Sequence, residues 1–420
     1  MAHSLAMALL GTLLLSYWGL PGPAWLLMSL ALSAYAVTHG VAFVRPARSS
    51  ILLFAAPIGF GFAGFASHPL GDAAKDVWYF SKPVVEIAFG LLMAAKLGVR
   101  RCLWVMIGAA AIVSLDYVVR VLLLLPEYLA NSVGANRTLF GTGSFLSLLA
   151  CVIALDPDLR RRLAFEAPLQ VWALRVTVIV SLVALGLSRS RTLGVLLTLF
   201  VLLRAVRVVS RSGSARFASS LGLLTAGVLT LTLSWSGVAE IGSPESVLTP
   251  PEEVVVSDEY LTDTDVNTHW RGFESLMALL QYGSFGATQK VVGGGFGQKV
   301  ELDKMRELAG EQFDAIPVLH NGFLYVLVKT GLAGELLFVA ALASLLRALS
   351  PRRGEVTGPR VSATTAFWLV AALALTSMVI SGPYNKSELL PLLILCGVYA
   401  SMTAAGGQSP STSPAPVIGA

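Results

Sequence analysis

Charge is what this 420-residue chain has least of: Asp, Glu, Lys and Arg together make up 13%, against about 25% in soluble domains. So few charged groups cannot coat a water-exposed surface. A soluble enzyme, a disordered chain and a fibrous repeat are therefore excluded. Cysteine is equally scarce. Cys102, Cys151 and Cys396 each lie in an apolar run, with no CxxC and no Cys/His cluster at ligand spacing. Neither a disulfide framework nor a metal site is supported. Regular alternation of apolar and polar residues is also missing, which excludes a membrane β-barrel.

What is abundant is continuous apolar sequence. Hydrophobic residues reach 55%, and the mean hydropathy is +0.72. Apolar segments lie near 4–20, 23–44, 49–66, 83–98, 102–125, 139–156, 171–187, 190–209, 217–236, 318–346, 361–380 and 388–404. Twelve spans of about 20 residues would use most of the length, so the expected fold is all-α, a polytopic integral membrane protein with about 12 transmembrane helices. The first segment has no basic residue ahead of it and runs into Pro21-Gly22-Pro23; it reads as a retained span, not a cleaved signal.

The net charge of +5 would hint at nucleic acid in a soluble protein. Here the basic residues sit in short loops, where membrane topology puts them, and no nucleic-acid partner is expected. One set of loops holds seventeen: Arg45, Arg48, Lys96, Arg100, Arg101, Arg160, Arg161, Arg162, Arg175, Arg204, Arg207, Arg211, Arg216, Arg347, Arg352, Arg353 and Arg360. The opposite set holds six: Lys75, Lys82, Arg137, Arg189, Arg191 and Lys386. The first set is predicted cytoplasmic, with both termini inside. The stretch 237–317 is then a large outer loop, acidic, with fourteen Asp/Glu against five Lys/Arg. Within it an amphipathic helix is predicted from Trp270 to Tyr282, and a charged helix-like piece from Glu301 to Glu311. An ordered loop this long is usually functional. The tail from Gly406 to Ala420, rich in Gly, Ser, Pro and Ala, reads as disordered.

Four groups could carry chemistry. Ser188-Arg189-Ser190-Arg191 forms a tight outward turn. Arginine near hydrocarbon is costly and usually faces a watery cavity, and its planar fork suits phosphate oxygens; the plainer reading is a pair of interfacial anchors. His269-Trp270-Arg271, with Glu274 one turn on, is either a ligand-facing cluster or a surface helix start with an i, i+3 pair. His320-Asn321-Gly322-Phe323-Leu324 stands where the loop re-enters the membrane; a histidine there is an interfacial residue or a general base. The run Gly293-Gly294-Gly295-Phe296-Gly297 lacks the Lys-Ser/Thr of a nucleotide loop and reads as a close-approach turn. Asp116 and Arg120, spaced i, i+4 in an apolar run, read as partners of each other.

Taken together and in this order, Ser188-Arg189-Ser190-Arg191, Arg271, Gly293 to Gly297, His320-Asn321-Gly322-Phe323-Leu324 and Gly331-Leu332-Ala333-Gly334 resemble the O-antigen ligase/O-antigen polymerase superfamily of bacterial envelope glycosyltransferases. The resemblance implies a fold like that of the lipid-linked-donor (GT-C type) glycosyltransferases, with the large loop periplasmic. It implies a transmembrane bundle at 1–170, the ligase/polymerase-like core at 171–346, further helices at 347–404 and a cytoplasmic tail at 405–420. The donor would be an oligosaccharide on undecaprenyl diphosphate, in the inner membrane, with no cofactor and no metal. Arg191 and Arg271 would clamp the diphosphate, with Arg189 auxiliary. His320 would be the base, and Asn321 and Gly295 would contact substrate. Membrane lipid, a chain-length regulator and a flippase are the implied partners. A polymerase of repeat units is the leading reading, from the run His320 to Gly331; a ligase transferring the finished glycan to lipid A-core or another acceptor is the alternative, and a twelve-span transporter or flippase the second.

Overall fold

A computed structural model of the chain describes residues 2–131, 136, 139–141, 143–209, 266, 270–308, 311–351, 362–380, 382–385 and 387–406. The first half is a series of helices: α1 (Ala2–Tyr17), α2 (Pro21–His39), α3 (Arg48–Gly61), α4 (Leu70–Leu97), α5 (Val99–Leu123), α6 (Leu125–Ala130), α7 (Phe145–Leu155), α8 (Pro157–Arg162), α9 (Pro168–Leu187) and α10 (Arg191–Val209). The second half adds α11 (Trp270–Ser284), α12 (Ala287–Val292), strands β1 (Val300–Leu308) and β2 (Glu311–Ile316), α13 (Gly322–Leu349), α14 (Ala363–Val379) and α15 (Leu390–Gly406).

Local chemistry sets several of these boundaries. Ser144 caps α7 by accepting from Leu146 N at 3.1 Å. Asp156 caps α8 through Asp158 N and Leu159 N, at 2.7 and 3.1 Å. Gly98 separates α4 from α5 with φ +77, the left-handed conformation that helix ends favour in glycine.

Among the described residues, five helical stretches are long and apolar enough to cross a membrane: Ala42–Gly64, Leu70–Leu97, Val99–Leu123, Pro168–Leu187 and Gly322–Leu349. This is a helical membrane protein. A helix overlies every expected apolar segment except 217–236, which lies outside the described residues along with the 405–420 tail beyond Gly406. At 11 residues, α7 is only about 16 Å long, well short of a hydrocarbon core about 30 Å thick.

Close packing comes from small residues. A Cβ on Gly90 of α4 would stand 2.2 Å from the Ile394 carbonyl oxygen, and one on Gly397 of α15 2.2 Å from that of Ile87. These two helices touch backbone to backbone, as membrane helices do at small-residue crossings. Ser114 of α5 shares hydrogen bonds with Ser147 of α7 at 2.8 Å and Ser181 of α9 at 3.0 Å, tying three helices at one buried point. Antiparallel helices α3 and α13 pair Ser50 with Ser344 at 3.1 Å.

Two expectations are corrected. The piece from Glu301 to Glu311 is not helical but forms most of an antiparallel hairpin, with Val300 opposite Ile316 and Leu308 opposite Glu311. Helix α4 also begins at Leu70 rather than near 83, so Lys75, Asp76 and Lys82 lie on a helix and not in a loop. The polar residues that hid its first turns are accommodated by partners: Asp76 is 2% exposed and paired, and Lys82 lies over the rings of Trp78 and Tyr79 at 4.4 and 4.5 Å.

Candidate active site

The amphipathic stretch 270–282 folds as predicted into α11 and buries Phe273, Glu274 and Ala278. Buried Glu274 faces the segment leading into α13. Its Oε2 accepts from the His320 backbone N–H at 3.0 Å and lies 2.9 Å from His320 Nδ1. A carboxylate can only accept, so this contact calls for the proton on Nδ1; in the tautomer that a general base requires, the lone pair is then at Nε2. His320 is fixed by two bonds to one buried acceptor, yet its side chain is 38% exposed. Arg271 stands one turn before Glu274 on the same helix, half-buried. Its i, i+3 neighbour is therefore the carboxylate that orients His320.

Asn321 is the N-cap of α13, its Oδ1 accepting from Phe323 N at 3.1 Å and Leu324 N at 3.2 Å. The cap fixes where the helix starts and hence where His320 points.

The glycine run is a buried interlock. Gly293, Gly295 and Gly297 have φ of +83, +89 and +90, and the backbone zigzags into a notch made by α13, which breaks at Gly331 (φ 67, ψ −170). Gly294 N donates to Val328 O at 2.9 Å, Gly295 N to Lys329 O at 3.0 Å and Phe296 N to Gly61 O at 2.7 Å. A Cβ on Gly295 would stand 2.3 Å from Gly64 Cα. Gly295 thus packs against the backbone of Gly64. Beneath the run, Asp76 of α4 accepts from Gly297 N at 2.7 Å, Tyr325 Oη at 2.5 Å and Lys329 Nζ at 2.6 Å; Lys329 also donates to Gln298 O. This buried clasp joins α4, α13 and the glycine run. Gln281 carries the connection to α11, donating to Lys299 O and accepting from Glu301 N, both at 2.8 Å.

The Ser188–Arg191 turn sits on a second set of elements, α6, α9 and α10. Arg189 takes φ +47, is 7% exposed and lies over the Tyr128 ring at 4.8 Å. Tyr128 Oη donates to Leu187 O at 2.6 Å; burial pushes its phenol up and the Arg189 guanidinium works against that shift. Gly143 lets Ser188 approach, since a Cβ there would meet Ser188 Cβ at 2.7 Å. Arg189 therefore clasps the turn, while Arg191 opens α10 exposed. Asp116 and Arg120 pair as expected at 2.8 Å. Tyr17 Oη joins them, donating to Asp116 at 3.0 Å and accepting from Arg120. Tyr17 and Arg120, with Ser144 and Glu388, line a cavity of about 470 Å³. His269 lies outside the described residues.

The structure thus brings His320 and Glu274 together, and Arg271 stands one turn before Glu274 on α11. Sequence reasoning missed Glu274 as the partner of His320 and the Asp76–Lys329 clasp altogether. The signal for the second was an ionisable residue in each of two apolar helices, which calls for a partner. Among the described residues no group of three or more His, Cys, Asp or Glu could hold a metal ion. Comparisons with protein-family models, curated proteins and solved structures find no match, so the family resemblance stands on the residues of the chain itself.

Proposed function

We propose that the chain is a glycosyltransferase of the bacterial inner membrane that polymerises undecaprenyl-diphosphate-linked repeat units into O-antigen or exopolysaccharide on the periplasmic side. Supporting this is one observation above the others: a half-exposed histidine whose Nδ1 and backbone N–H are both held by a buried glutamate, with an arginine one turn away on the same helix. A positioned imidazole with a free lone pair suits removal of a proton from an attacking hydroxyl. In the proposed step, the acceptor oxygen forms a bond to the anomeric carbon of the donor and gives its proton to His320 Nε2. The bond from that carbon to the diphosphate breaks, and the charge leaves on the lipid diphosphate. Arg191 and Arg271 stabilise that charge. In the proposed topology, twelve spans with both ends cytoplasmic, all three residues lie on the outer side.

Cells deprived of the protein test the reading. Accumulation of lipid-linked single repeats supports the polymerase. Long lipid-linked chains indicate a ligase instead, and units trapped on the cytoplasmic side indicate a flippase.

A further inference from the structure

At the start of α3 and the ends of α13 and α15, a second polar cavity of about 330 Å³ is lined by Arg45, Arg48 and Arg347 together with Ser49, Ser344 and Thr403. Its position follows from the fold: both Ala42–Gly64 and Gly322–Leu349 are long enough to cross a membrane, so their ends lie at its boundary. All three guanidinia are exposed. No described carboxylate forms an ion pair with any of them. Three positive charges converge on one hollow. Most neighbouring hydroxyls are already spent: Ser344 on Ser50, Thr403 on the carbonyls of Ala348 and Ala400. The arginines and Ser49 remain as donors.

We propose that this cavity is a phosphate site, taking a phosphate ester at the membrane boundary. Guanidinium forks pair with phosphate oxygens in planar, two-bond geometry, and a basic pocket between membrane helices is the form that recognises a lipid headgroup. The hollow has about ten times the volume of a water in the liquid, enough for a phosphate and its ester carbon. The site lies at the opposite end of α13 from His320 and does not depend on the reaction proposed above.

The test uses the full chain purified in detergent, with native mass spectrometry to count bound phosphatidylglycerol against phosphatidylcholine, and inorganic phosphate as competitor. Each arginine contributes about a fivefold preference for the anionic lipid. Arg45→Gln, Arg48→Gln and Arg347→Gln together should abolish retention of phosphatidylglycerol. The triple variant Arg101→Gln, Arg160→Gln and Arg175→Gln, which removes the same charge from exposed positions elsewhere, should keep it. Retention that resists millimolar phosphate identifies a lipid headgroup; displacement by phosphate identifies a free anion. In the unmodified protein, a headgroup-photoreactive phosphatidylglycerol should crosslink to residues 44–50 and 344–350, which keeps the test valid if the variants fold poorly. Equal loss in both triple variants, or crosslinks spread evenly over all basic loops, would overturn the site.

Discussion

Removing the Asp76 carboxylate should unfasten the region that carries His320, and the size of the effect can be worked out in advance. Asp76→Ala strands three donors at once: Lys329 Nζ, Gly297 N and Tyr325 Oη. Deleting one partner of a buried ion pair costs roughly 3–5 kcal/mol because the other charge stays buried. Each stranded neutral donor adds about 1–3 kcal/mol taken alone, but the three belong to one network and do not add. A net loss of about 4 kcal/mol or more is expected. Replacing the pair together, Asp76→Leu with Lys329→Met, removes both charges and should leave only the neutral penalty, about 1–3 kcal/mol. Reversible unfolding in mixed micelles measures these differences, and hydrogen exchange at Gly294 to Gly297 locates them. If Asp76→Ala unfolds within about 1 kcal/mol of the parent, or the double variant is no better than the single, the clasp contributes little and the reasoning fails.

Three further outcomes follow from the site. Arg191→Ala and Arg271→Ala should each lower polymer formation roughly 10²–10³-fold at unchanged membrane abundance, the cost of one lost contact to a developing anion, and Lys should rescue poorly because it lacks the two-pronged fork; full activity in both alanine variants would remove the clamp. Glu274→Gln should reduce kcat about 10²-fold by loosening His320 while leaving the donor KM in place, and a change confined to KM would point to a donor contact instead. Cysteines introduced at 243–265 should label from outside intact cells and those at 352–358 should not, against a low background because Cys102, Cys151 and Cys396 are buried; the reverse pattern would invert the topology.

Helix placement was legible wherever apolar sequence ran unbroken, because hydrocarbon leaves the backbone no other way to satisfy its hydrogen bonds. Legibility ended where polar residues were paid for by distant partners. Asp76 and Lys329 are 253 positions apart, so no window of sequence shows why α4 tolerates a carboxylate. Glu274 looked like the i, i+3 partner of Arg271, since spacing along a helix reveals neighbours on that helix only. Its bond to His320 crosses 46 positions. The glycine run was readable as a close approach, but what it approaches, the notch at Gly331, depends on tertiary packing. Of the two arginines in the outward turn, sequence alone could not tell that Arg189 lies under cover of Tyr128 while Arg191 stays exposed.

The most direct measurement is polymer formed per unit of folded, purified protein from lipid-linked repeat units, comparing the parent chain with His320→Ala across pH. General-base catalysis predicts a loss of roughly 10²–10⁴-fold in rate with donor binding retained, because the arginines remain. It also predicts that the parent loses activity as pH is lowered and that the residual activity of the variant lacks this acid limb. A His320→Ala protein with near-normal specific activity, or one that keeps the acid limb, would contradict the account and leave His320 as an interfacial residue held by Glu274.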